Sequence, residues 1–187
     1  ADQWEEALPL GNGKLGLMVY GNPSTEHIQL NDDSLWPADL EWDEPNGNKE
    51  DLEDIRAALF AGDHGRADEL FVEKFTRKKV LRSHQSLGDV FIEFNHRNIT
   101  EYRRELDISK AIAKVSYRSN GHLIQEELFV SYPHKAILIR LSTEAEEGIN
   151  ARIRMSRPED HGYATAKTSV DEFQQLIMKG EVTQRGA

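Results

Sequence analysis

From Leu87 onward apolar and polar positions alternate with a period of two, the pattern of half-buried β-strands. In Asp89–Phe94 the residues Val90, Ile92 and Phe94 share one face, and Ala111–Arg118 alternates through Ile112, Ala113, Val115 and Tyr117. Ser119-Asn-Gly-His122 joins that run to the next, and Asn-Gly between two such runs predicts a tight hairpin. The return strand, His122–Tyr132, sends Ile124, Leu128 and Val130 one way and Leu123, Gln125, Glu127 and Phe129 the other. Pro133 ends it. Ala136–Leu141, Ile149–Met155 and Phe173–Met178 read as three further strands, and Arg157–Ser169, around Pro158 and Gly162, as a loose connection.

Before Leu87 the period lengthens. Leu52, Ile55, Leu59 and Phe60 recur at helical spacing behind Asn48, a good N-cap, and Gly62 closes that helix. A second helix starts near Asp63 or Gly65. Its stripe is Ala67, Leu70, Phe71 and Phe75, and Arg77-Lys78-Lys79 lies at its C-terminal end, where the helix dipole favours cations. The expectation is a mainly β chain, an antiparallel β-sandwich, with a helical pair over about 49–79 inserted behind an N-terminal β segment.

That N-terminal segment carries Gly11-x-Gly13-x-x-Gly16, the spacing of a dinucleotide-binding turn. Such a turn needs a buried strand before the first glycine and a helix after the last. Here Pro9 precedes it, and Leu17-Met-Val-Tyr20 then Gly21 follow, too short for a helix and suited to a strand. The nucleotide reading therefore fails on context.

Composition narrows the picture further. The net charge of -10 argues against nucleic-acid binding, and no apolar run approaches the ~20 residues of a membrane helix. Cysteine is absent, which excludes disulfides, thiolate metal sites and a cysteine nucleophile. The seven histidines form no HExxH and no pair at ligand spacing. Adjacent acids such as Asp32-Asp33 and Glu126-Glu127 point to opposite faces if they lie on a strand, so neither pair can act together on one substrate. Neither cofactor nor metal is indicated. Asn98-Ile-Thr100 is a glycosylation sequon, relevant only in a eukaryotic secretory route. The chemically suggestive cluster is Asn31, Asp32, Asp33 and Ser34 with Trp36 beside them: a flat apolar face next to directional hydrogen-bonding groups suits a sugar. The alternative is a capped loop whose Trp36 plugs a domain interface.

In chain order, Trp4–Gly21, Ile28–Trp36, Ile55–Gly62, Leu87–Phe94, Tyr102–Asp107, Glu127–Pro133 and Arg140-Leu141 resemble glycoside hydrolase family 95, the α-L-fucosidases. The resemblance runs from Trp4 to about Pro158 and departs from it at Pro37 and Ala38. It implies the N-terminal β-sandwich (supersandwich-type) domain of a multi-domain enzyme that hydrolyses terminal α-1,2-linked L-fucose with inversion, some members acting on L-galactose. In such enzymes the catalytic acid and the water-holding residues lie in an (α/α)6 barrel absent from this chain, so no catalytic residue carries over. Residues 1–187 are then expected to form one such domain, its last strands falling beyond the chain. Its role would be to buttress the barrel, with Asn31, Asp32, Asp33, Ser34 and Trp36 at the substrate rim or the interdomain face. An independent carbohydrate-binding module is the alternative. Expected partners are the barrel and, through it, a fucosylated glycan, with self-association of the isolated domain. The resemblance implies a secreted or periplasmic protein, although no signal peptide is visible.

Overall fold

The computed structural model describes residues 1–36, 47–76 and 84–182. These form two compact units, one of residues 1–36 and 84–182 and the other of residues 47–76. The first is a β-sandwich. Its five-stranded sheet has the order β1 (Leu8–Gly11), β2 (Leu15–Val19), β3 (Thr25–Asp32), β4 (Gly88–Phe94), β9 (Ala151–Ser156). The facing four-stranded sheet runs β5 (Thr100–Asp107), β6 (Ile112–Ser119), β7 (His122–Ser131), β8 (Ala136–Thr143), and β10 (Ala166–Val170) pairs with β11 (Leu176–Gly180) as a hairpin. All neighbours are antiparallel.

The core follows from the alternation. Leu10, Leu17, Val19, Ile28 and Ile92 of one sheet meet Ala113, Val115, Tyr117, Ile124 and Leu128 of the other in a single buried cluster. Val90, Phe94 and Val130 pack against its margin, on the faces that the period of two assigns them. The Asn120-Gly121 turn closes β6 onto β7 with both residues at positive φ, 49° and 87°, as a two-residue hairpin of matching twist requires. The glycine-rich opening is likewise a hairpin: β1 pairs with β2, and the Asn12 carboxamide oxygen accepts the amides of Lys14 (3.0 Å) and Leu15 (2.8 Å).

Side chains of the four-stranded sheet hold the corner after β2. The Tyr102 hydroxyl donates to the Gly21 carbonyl (2.7 Å), and the Arg104 guanidinium donates to the carbonyls of Tyr20 (2.5 Å) and Glu6 (2.8 Å). Gly21 sits at φ 74°, and a Cβ there would come within 2.6 Å of Arg104 Cδ. Only glycine fits this corner without strain.

The second unit is the helical pair α1 (Lys49–Phe60) and α2 (His64–Phe75). Asn48 and Asp51 form a reciprocal capping box, and Asp63 caps α2 through the Arg66 amide. Ile55 and Ala67 are buried, whereas Phe60 and Phe71 of the expected stripes are exposed, because two short helices share only a narrow seam. Arg77-Lys78-Lys79 lies outside the described residues, as do Pro37 and Ala38.

Three strand expectations need correction. Phe173 is exposed in the turn between β10 and β11 rather than in a strand. The stretch read as loose contributes Ala166–Ser169 to β10, which carries only Ala166 and Val170 as apolar residues and pairs with β11. And β5, whose four central residues Tyr102-Arg-Arg-Glu105 mask its alternation, was not expected as a strand.

Candidate functional site

Asn31 and Asp32 are the last residues of β3, paired with Gly16 and Leu15 of β2, and the chain turns immediately after them. Asp32 Oδ1 accepts both the Ser34 hydroxyl (2.6 Å) and the Ser34 amide (3.0 Å). These bonds, the hydroxyl first, hold the Asp32 carboxyl below its usual range, so it is an ionised turn-former and no proton donor. The Asp33 amide bonds back to the Lys14 carbonyl (3.0 Å). Trp36 donates its indole N–H to the Asp33 carbonyl (3.1 Å), and its ring meets His84 edge-on at 5.4 Å. With 53% of its surface exposed, Trp36 is no core residue.

The turn is braced from the segment that leads into β4. His84 Nε2 lies 2.8 Å from the Asp32 carbonyl, the Gln85 amide donates to the Leu35 carbonyl (2.9 Å), and the Ser86 hydroxyl reaches the Leu30 carbonyl (3.2 Å). Arg157, just after β9, in turn holds this segment through the Ser86 carbonyl (3.1 Å) and Gln85 Oε1 (2.7 Å). All five expected residues therefore come together on one exposed turn at one end of the five-stranded sheet. Its indole face is presented to solvent with the N–H already satisfied.

A buried carboxyl pair lies elsewhere, between the sheets. Glu26 of β3 is fully buried and Glu126 of β7 is 2% exposed, and the two side chains hydrogen-bond to each other between the sheets. Glu26 Oε1 also accepts the Gly21 amide (2.8 Å), while no ordinary donor reaches Glu26 Oε2 or Glu126 Oε1. Burial pushes both carboxyls up, and the Glu26 charge pushes Glu126 further, so each favours its neutral form more than an exposed carboxyl does. A sealed pair cannot touch a glycosidic bond, and a hydrolase needs its two carboxyls on opposite sides of one. Strand alternation holds the signal: Glu126 lies between Ile124 and Leu128, and Glu26 two residues before Ile28. Among the described residues no three His, Asp or Glu side chains converge as metal ligands.

The model of the family "Glycosyl hydrolase family 65, N-terminal domain" matches residues 1–187. The chain belongs to that family. As a glycosyl hydrolase family 65 N-terminal domain it is also similar to proteins named for α-fucosidase activity. It is 29% identical to "Alpha-L-fucosidase 2" of Arabidopsis thaliana over 185 residues, 95% of this chain and 21% of the relative. It is 32% identical to "Probable alpha-fucosidase A" of Aspergillus niger over 147 residues, 74% of this chain and 18% of the relative. The Aspergillus oryzae protein of the same name is 28% identical over 152 residues, 77% and 20% of the two chains. The chain thus spans about a fifth of the length of the curated relatives it matches.

Proposed function

We propose that the chain is the N-terminal domain of an inverting α-L-fucosidase of the family 95 type, and that it is not itself catalytic. The fucosidase reading rests on the identity to "Alpha-L-fucosidase 2" across nearly the whole chain. The non-catalytic reading rests on one observation: the close carboxyl pair is sealed in the core, while Asp32 at the exposed turn is committed to Ser34. In this reading the acid and the activated water of inversion belong to a helical barrel elsewhere in the parent protein. The sandwich supports that barrel, and the turn from Asn31 to Trp36 lies against it at the rim of the substrate site. A fucosylated glycan reaches the domain through the parent enzyme, which acts in a secreted or periplasmic setting.

The test compares this chain alone with the longer parent protein on 2'-fucosyllactose, with the anomer released followed by NMR. The parent should release β-L-fucose and the isolated chain none. Fucose release by the isolated chain that is abolished on changing one carboxylate would defeat the non-catalytic reading. Release of the α anomer by the parent would defeat the inverting one.

A further inference from the structure

Strand β3 ends at the Trp36 turn, and β4 runs antiparallel beside it with Thr25 opposite Glu93. The segment after β4 therefore lies at the other end of the sandwich. There it joins the β6–β7 turn and the connection from β8 to β9 around a concavity of about 270 Å³, room for a single sugar ring. The frame is held by hydrogen bonds. The Arg97 amide donates to Ser119 Oγ (3.1 Å), the Asn120 amide to the Arg97 carbonyl (3.0 Å), and Asn98 Nδ2 to Asn120 Oδ1 (2.7 Å). His96 is fixed as part of the wall: it stacks on Phe94 at 4.7 Å and 7°, and its Nδ1 lies 2.8 Å from the hydroxyl of the buried Tyr117.

Against this fixed frame, four side chains of the lining are uncommitted. Asn95, His122, Glu147 and Asn150 line the concavity, and among the described residues their side chains make no hydrogen bond or ion pair. The buried Ile124 supplies apolar wall. Amides offer a donor and an acceptor each, imidazole one of either, and carboxylate an acceptor. No Lys or Arg lines the space, which disfavours phosphate, sulfate or a carboxylate ligand. Two amides, an imidazole and one carboxylate acceptor converging beside apolar wall match a ring bearing hydroxyls.

We propose that this concavity is a binding site for one neutral sugar residue, separate from the turn that carries Trp36. The assignment rests on the lining's own chemistry and on membership of a glycosyl hydrolase domain family, and it holds whether or not the parent enzyme is a fucosidase.

The experiment is an NMR titration of the 187-residue chain, isotopically labelled, with L-fucose, D-galactose and inorganic sulfate in separate arms. At least one sugar should give saturable shifts at the amides of Asn95, Asn120–His122 and Asn150 and at the His122 ring, in the millimolar range, and sulfate none. Asn95→Ala and Asn150→Ala should each weaken that binding about fivefold to tenfold, as loss of one hydrogen-bonding partner does. Both residues are exposed, so the melting temperature should stay unchanged and a folding defect is separable. The proposal is overturned by no saturable shift with either sugar, by shifts centred on Trp36, by sulfate matching the sugars, or by variants that bind as wild type does.

Discussion

Glu26 on β3 and Glu126 on β7 face each other between the two sheets of the sandwich, one from each sheet, with the Gly21 amide donating to Glu26 Oε1 at 2.8 Å. Around them stand Tyr117 of β6 and Tyr102 of β5, whose hydroxyls burial pushes up, with Arg104 beside Tyr102 and the Ala1 amino group on the side of Glu26. A carboxyl whose folded-state pKa lies above its unfolded value adds stability that is complete below the unfolded value and is lost as pH rises through the folded one.

The domain should therefore be more stable near pH 5 than near pH 8 as far as this pair decides it, on the order of 3 kcal/mol for a displacement of two units or more. His96, held below its usual range by burial, works in the opposite sense within the same window, so the informative comparison is with Glu126→Gln. Glutamine keeps a permanent donor toward Glu26 and removes one titrating carboxyl. Denaturant melts of the variant should show a flatter pH profile and higher stability than wild type at pH 8. Parallel profiles would show that the pair does not titrate with folding.

Trp36→Ala should cost the isolated chain about 1–2 kcal/mol: one hydrogen bond to the Asp33 carbonyl and a partial loss of contact. A buried tryptophan would cost ~3–5 kcal/mol. In the parent enzyme the same change should lower activity or domain cohesion by more than the isolated melt accounts for, because the exposed indole is proposed to lie against the barrel. Equal losses in both settings would make Trp36 a local brace only.

Legibility in the sequence divides along the same physical lines. Strands with one wet and one dry face, such as Ile112–Ser119, announce themselves by alternation, and the Asn120-Gly121 turn by its residue types. The glycine-rich opening was legible from what its context lacks. By contrast, β5 and β10 are legible as strands only from their pairing, since Leu106 in β5 and Val170 in β10 are too few apolar positions to set a period among the charged and polar residues around them. The turn from Asn31 to Trp36 was legible as a cluster, but its bracing by His84 and Arg157 depends on neighbouring strands and leaves no local pattern. The buried carboxyls were visible in the register yet ran against the habit of placing acids outside. Glu126 shares the face of Ile124 and Leu128, so alternation alone placed it in the core.

Gly21→Ala tests the corner that feeds the pair. The new Cβ would combine a left-handed backbone, about 1–2 kcal/mol, with a clash against Arg104 Cδ, about 1–3 kcal/mol, and so destabilise by about 2–5 kcal/mol. Gly121→Ala has the φ cost without the clash, because nothing lies within 4 Å of a Cβ there. Chemical melts of the two variants should differ accordingly. If they match, the Arg104 and Tyr102 clasp is loose enough to move aside.

Self-association should proceed through β8. This strand is an edge of its sheet and is eight residues long, with Leu138 exposed at 40% and Ile137 and Ile139 half-buried beside it. An edge of that length presents unpaired N–H and C=O groups to a second copy, and Arg140 is the one charge along it to deter pairing. The net charge of -10 opposes contact between copies, but physiological salt screens it beyond ~8 Å. Light scattering on the isolated chain should show mass rising with concentration, and more steeply as salt is added. Leu138→Lys puts a charge on the edge without touching the core cluster and should return the chain to a monomer. A wild-type chain that stays monomeric at high concentration and at every salt would mean that the edge is protected and the association absent. Association that survives Leu138→Lys would move it to another surface.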